Sequence, residues 1–202
     1  MDARAMTSIQ RFPVDLTRAA RIYFRDTFGD PRPGGRLHAG QDLFAPRGTP
    51  VVSPIAGRVV RIGDRDAGTC GFGVTIRADE DRALWTLCHF NAIPVVDAGD
   101  RVQPGDVLGV VGTSGNAPER SPHLHIQALT QEGIPINIFP ILDAQRRAER
   151  AGLATPSPAM QAAATARARP PIGSNRFGTG GAIAALALLG VFTFARGRGR
   201  HG

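Results

Sequence analysis

The chain has 202 residues, enough for one domain with its own core plus flanking segments. All 24 of its basic residues are arginine, which excludes a carrier that needs a modifiable lysine, such as a biotin or lipoyl domain. The net charge of +7 is unevenly placed: residues 1–143 hold 15 arginines against 16 acidic residues, and residues 144–202 hold 9 against Glu149 alone. The folded part is near neutral and the charge sits in the tail, so no nucleic-acid partner is expected. No nucleic-acid motif accompanies the basic tail, which suits a membrane surface or an acidic polymer better.

Residues 1–27 read as an N-terminal extension. The opening MDARAMTSIQRFPVDLTRAARIYF is broken by charges throughout and lacks the apolar run of a signal peptide. FGDPRPGGR (28–36) is rich in glycine and proline and reads as a loop leading into a domain that runs over 28–143.

From Leu37 onward the sequence reads as short strands with turn punctuation. APRGTP (45–50) is a turn. VVSPIAGRVVRIG (51–63) gives two β-branched runs broken by Pro54 and Gly57. GFGVTIRADEDRALWTLCHF (71–90) reads as a hairpin, with strands over 74–78 and 83–89 and an acidic turn between them. GDRVQPGDVLGVVG (99–112) places a Pro104-Gly105 turn between apolar runs. HLHIQAL (His123–Leu129) is the final strand. No helical periodicity competes over this span, so the domain is all-β and antiparallel.

A short helix over 138–150 follows, with Asn137 as its N-cap. Residues 151–176 are Ala/Pro-rich with few large apolar side chains and read as a disordered linker; with the end of the helix they make up a segment over 144–176. FGTGGAIAALALLGVFTFA (177–195) carries no charge and is long enough to cross a hydrocarbon core. It reads as a C-terminal transmembrane anchor, followed by the basic tail 196–202. The positive-inside rule then puts the tail in the cytoplasm and the domain on the cell-wall side, periplasmic or extracellular.

Cys70 and Cys88 do not form a CxxC pair, which rules out a thiolate zinc knuckle. They flank the predicted hairpin. Two buried free thiols is the simpler expectation, and a disulfide is the alternative.

The histidines carry the functional argument. His201 lies in the basic tail. The other four fall in HAGQD (His38, with Asp42), TLCHF (His89) and HLH (His123, His125). Taken singly, His38 with Asp42 and His89 are weak signals. On a strand, residues i and i+2 share a face, so His123 and His125 look the same way and Leu124 looks into the core. Two adjacent imidazoles on one face have little structural purpose, and neutral imidazole is the commonest metal ligand. Two imidazoles and a carboxylate make a three-ligand zinc site with one open position, at which water becomes a nucleophile. The two remaining imidazoles then take a proton or stabilise an oxyanion. No HExxH, GxSxG or GxxxxGK[ST] pattern argues for other chemistry. Residue types alone leave open which histidine of HLH is the ligand.

With these residues in place, the chain resembles the lysostaphin-type zinc endopeptidases of bacterial cell wall, which share HxxxD followed far downstream by HxH. FGDPRPGGRLHAGQDLFAPRGTPVVSPIAGRVV resembles the family's entry segment, GFGVTIRADEDRALWTLCHF its central hairpin, and AGDRVQPGDVLGVVGTSGNAPERSPHLHIQ its closing segment. The resemblance implies Zn2+ held by His38, Asp42 and His125, with His89 and His123 as the catalytic pair. It implies an antiparallel sheet flooring an open zinc groove, walled by the loops around 28–36 and 113–122. It implies hydrolysis of peptidoglycan stem-peptide cross-links or cross-bridges, with a silent wall-binding regulator of another hydrolase as the alternative. One departure stands out: the family usually has an aromatic residue two positions before the catalytic histidine. Here that residue is Leu87, and Trp85 is the nearest candidate to contribute shape instead.

Overall fold

A computed structural model of the chain describes residues 9–19, 21–64 and 68–152. The expected linker, the hydrophobic segment 177–195 and the basic tail lie outside the described residues. Among the described residues, no helix is long and apolar enough to cross a membrane.

In chain order the elements are β1 (Pro31–Arg32), β2 (Arg36–Leu37), β3 (Gln41–Phe44), β4 (Pro50–Val52), β5 (Gly57–Gly63), β6 (Gly73–Ala78), β7 (Leu84–Cys88), β8 (Arg101–Val102), β9 (Val107–Val110), β10 (His123–Leu129), β11 (Pro135–Ile136) and α1 (Phe139–Arg150). Every strand pairing is antiparallel. The main sheet runs β11-β10-β7-β6-β5-β8, and β3 also pairs with β10; β4 pairs with β9, and β1 with β2, in separate ribbons.

The period-two alternation explains the sheet. Leu124, Ile126 and Ala128 of β10, Val74 and Ile76 of β6, and Trp85 and Leu87 of β7 are all at most 2% exposed and face one core. Burying each large apolar side chain contributes about 1.5–3 kcal/mol. The intervening residues, Gln127, Thr86, Thr75 and Arg77 among them, face the other way and floor a groove.

Several expectations need correction. The Gly/Pro-rich segment is not only a loop: it folds as the β1–β2 hairpin, reversing through Gly34 and Gly35, both at positive φ. His123–Leu129 is not the last strand, because β11 adds to its end. The helix begins at Phe139 with Ile138 as N-cap, and Asn137 acts one residue earlier, its Oδ1 accepting from the Phe139 N–H at 3.0 Å. Trp85 and Leu87 both lie in the core, so neither shapes the groove. The segment ahead of residue 28 also supplies core: Ile9, Phe12, Val14, Ile22 and Phe24 belong to the same buried cluster as the sheet. Tyr23 and Phe44 exchange two backbone hydrogen bonds, at 3.0 and 2.9 Å, which ties this segment to β3.

The cysteines are not free thiols; Cys70 and Cys88 form a disulfide that closes the β6–β7 hairpin at its open end. Its partners are 18 residues apart in sequence, so the cross-link removes on the order of 3 kcal/mol of unfolded-state entropy. Replacing both by serine should lower the urea midpoint by that much stability, and reductant should do the same to the unmodified chain and nothing to the variant.

Candidate metal centre

Four strands or their ends deliver the site. In the β3–β10 pairing Asp42 stands directly opposite His125, and in the β10–β7 pairing His125 stands opposite Cys88. His38 enters from the turn before β3, and His89 follows the last residue of β7. The approach of that turn to β10 explains the glycine of HAGQD. A Cβ on Gly40 would lie 2.4 Å from the Ile126 carbonyl oxygen and 2.9 Å from His125 Cε1.

The residues expected to bind metal converge. His38 Nε2 is 3.0 Å from His125 Nδ1 and 3.2 Å from Asp42 Oδ1, and His125 Nδ1 is 3.0 Å from the same Oδ1. These three atoms face one another in a nearly equilateral triangle. Tetrahedral zinc with bonds of about 2.0–2.1 Å has ligand-to-ligand edges of roughly 3.3 Å, so the donor set fits a zinc ion in size and in type.

Two of the three residues expected to bind metal, His38 and Asp42, are fixed from behind. His38 Nδ1 lies 2.9 Å from the Thr27 carbonyl oxygen, which accepts its proton and leaves Nε2 toward the centre. Arg32 Nη2 donates to Asp42 Oδ2 at 2.7 Å and lies 2.7 Å from His38 Nδ1. Burial works against the Asp42 carboxylate, but the His125 and His38 imidazoles beside it outweigh burial and hold the group ionised, far below the usual carboxylate range.

The other two imidazoles sit beside the triangle. The His89 and His123 rings are 4.8 Å apart, and His123 Nε2 is 3.9 Å from Asp42 Oδ1. His89 Nδ1 donates to the Ser114 carbonyl at 2.8 Å and His123 Nδ1 to the Ser121 carbonyl at 2.8 Å, so both present Nε2 to the site. His89 is in the left-handed backbone region, with φ 67°, where histidine is one of the few side chains found repeatedly. Its backbone is held by Cys70, which accepts from its N–H at 3.0 Å, and by Gly112, which donates to its carbonyl at 2.9 Å. Burial, with His123 alongside, pulls the His89 pKa down to about 4, so the ring is neutral at pH 7.

A groove of about 870 Å³ runs over the centre. One wall carries Arg32, Arg36 and Leu37, and the opposite one carries Thr69, Cys70, Asn116, Ala117, Pro118 and Ser121. The second wall needs two left-handed glycines in contact. A Cβ on Gly71 (φ 62°) would lie 2.3 Å from the Gly115 amide nitrogen.

All five expected site residues are therefore brought together. The sequence reading missed Thr27, Arg32, Ser114 and Ser121. Three of these act through backbone carbonyls, which leave no trace in residue type, and Arg32 is one arginine among many in a segment read as a loop.

Comparison with known proteins identifies the family of the domain that carries this site. The model of peptidase family M23 matches residues 36–138, a span containing all five site residues. The L-Ala--D-Glu endopeptidase of Bacillus subtilis (strain 168) is 37% identical over 110 residues, a match covering 50% of this chain and 33% of that protein. The chain thus spans about a third of that relative's length. Among solved structures, the catalytic domain of the antimicrobial peptidase lysostaphin from Staphylococcus simulans superposes with a TM-score of 0.51 at 26% identity, covering 60% of this chain and 92% of that one. A zinc containing peptidase from Vibrio cholerae superposes with a TM-score of 0.52 at 25% identity, covering 65% of this chain and 39% of that one. Half of the chain falls within the family match, and on that ground it belongs to peptidase family M23.

Proposed function

We propose that the chain is a zinc endopeptidase that hydrolyses peptide cross-links or cross-bridges of bacterial peptidoglycan. The observation that carries this reading is the triangle of His38 Nε2, Asp42 Oδ1 and His125 Nδ1 beside two imidazoles that both turn Nε2 toward it. His38, Asp42 and His125 would hold the ion. When bound, zinc supplies a Lewis acid that polarises a carbonyl and brings the pKa of water toward about 7.

The rest of the chemistry falls to the chain. Neutral His89, its Nδ1 proton committed to the Ser114 carbonyl, has a free lone pair on Nε2. It accepts a proton from the attacking water and returns it to the departing amine. His123, its Nδ1 on the Ser121 carbonyl, turns Nε2 toward the oxygen that gains charge as the peptide carbon becomes tetrahedral and stabilises it there. Arg32 and Thr27 keep Asp42 and His38 in place throughout.

The substrate places the domain on the wall side of the membrane. The disulfide supports that placement, since such bonds persist in oxidising, extracytoplasmic compartments. Residues 177–195, free of charge, would tether it to the membrane.

Purified peptidoglycan incubated with the zinc-saturated full chain should release soluble peptides with new amino termini. A chelator should stop the release and added zinc should restore it. No released peptide at saturating zinc would overturn the proposal.

A further inference from the structure

The groove floor carries more positive charge than the fold requires. Its register is explicit. One step along the sheet from the His125–Cys88 pair, Gln127, Thr86, Thr75 and Arg61 stand opposite one another in turn across β10, β7, β6 and β5. One step further, Leu129, Leu84, Arg77 and Arg58 do the same, and Arg58 in turn faces Arg101 of β8. Arg77, Arg58 and Arg101 are thus three like charges directly opposed on adjacent strands, an arrangement that destabilises a sheet. Arg101 is compensated by Asp79 at 2.7 Å, and Arg58 donates to the Gly99 carbonyl. Arg61 and Arg77 are exposed, line the groove, and make no ion pair among the described residues; Arg36 on the facing wall is in the same position. The only carboxylate among the described groove-lining residues is Asp42, already engaged by Arg32 and the two histidines.

We propose that Arg61 and Arg77 form a carboxylate subsite on the groove floor, and that the chain acts on carboxylate-bearing stem peptides in preference to an uncharged glycine bridge. This rests on the peptidase reading and names its substrate class. On regular sheet spacings both arginines lie roughly 16 Å from His125, which is about five residues of extended peptide and less once their side chains reach inward. A stem peptide bears a free carboxylate on its γ-linked D-glutamyl residue and another at its C-terminus. A glycine bridge offers only amides, and its passage over guanidinium groups that have no ion-pair partner among the described residues would bring nothing to offset their desolvation. The Thr75 and Thr86 hydroxyls, 3.2 Å apart between the arginines and His125, add neutral hydrogen-bonding groups along the same path.

The test measures binding, so that it stands apart from turnover. N-acetyl-L-Ala-γ-D-Glu-L-Lys-D-Ala, and the same peptide with both carboxylates converted to carboxamides, are titrated into the zinc-saturated full chain and followed by NMR. The carboxylate form should bind about tenfold more tightly, as expected for a charge-assisted contact. In Arg61→Gln/Arg77→Gln the two peptides should bind equally, with the melting temperature no lower, because both side chains are exposed and loss of the Arg77 charge relieves its opposition to Arg58. Equal binding by the unmodified chain, or a preference that survives the double substitution, would overturn the subsite. A preference without any release from peptidoglycan would keep the subsite and remove the peptidase reading; release without a preference would do the reverse.

Discussion

Replacing His125 by alanine should remove the bound zinc and the wall hydrolysis together while the sheet stays folded. The imidazole faces the groove, and β10 is held in the sheet by Leu124, Ile126 and Ala128 on the other face, all fully buried. Its loss takes one corner from the triangle but leaves Asp42 with Arg32 at 2.7 Å and His38 at 3.2 Å. The carboxylate is therefore not left buried and unpaired, the situation that makes loss of one ionic partner strongly destabilising. A metal supplies several kcal/mol of transition-state stabilisation, so hydrolysis should fall on the order of 10³-fold or more. Metal content by mass spectrometry, a circular-dichroism melt and peptide release from peptidoglycan check the three parts. Hydrolysis retained in this variant would show that the triangle is not the catalytic centre.

Substitution of His89 should separate turnover from metal binding. Its ring lies outside the triangle, with its centroid 6.0 Å from that of His125. A His89 variant should still carry about one zinc per chain, the stoichiometry of a single three-ligand site. Loss of a general base costs about 10²–10⁴ in rate and falls on kcat rather than KM. Asparagine is the informative replacement. The residue sits at φ 67°, and asparagine tolerates the left-handed region better than alanine, which keeps backbone strain out of the comparison. Loss of zinc along with activity in His89→Asn would make His89 a ligand instead of a proton carrier.

Much of this site was legible because it follows the period of a strand. Once 123–129 is read as β, His123 and His125 must share a face and Leu124 must oppose them. The same rule applied to 84–88 puts Trp85 and Leu87 in the core, which removes the question of a missing aromatic at position 87. Pairing across long sequence separations was not legible. Asp42 meets His125 because β3 docks on β10, and no local feature of HAGQD specifies that partner; it came from resemblance. The cysteines did carry a signal, since both flank one hairpin, but flanking alone does not fix the distance between two thiols. The buried segment before residue 28 was hidden by composition. Phe12 with Val14 and Ile22 with Phe24 are each spaced by two, but each pair is too short to register as a strand and the polar run DLTRAAR separates them, so their meeting in one cluster, with the Phe12 and Phe24 rings 5.7 Å apart, leaves no sustained period in the sequence.

That segment bears on how the catalytic unit can be moved between proteins. A graft cut to the matched span 36–138 would leave behind Thr27, whose carbonyl orients His38, and Arg32, which holds Asp42. It would also lose Tyr23, which zips onto the strand bearing Asp42, and Glu149 near the end of α1, which accepts from the Phe12 amide. A chimera carrying residues 9–152 keeps His38, Asp42 and His125 together with the scaffold that aims them, and the module to transplant is larger than its family signature by both flanks.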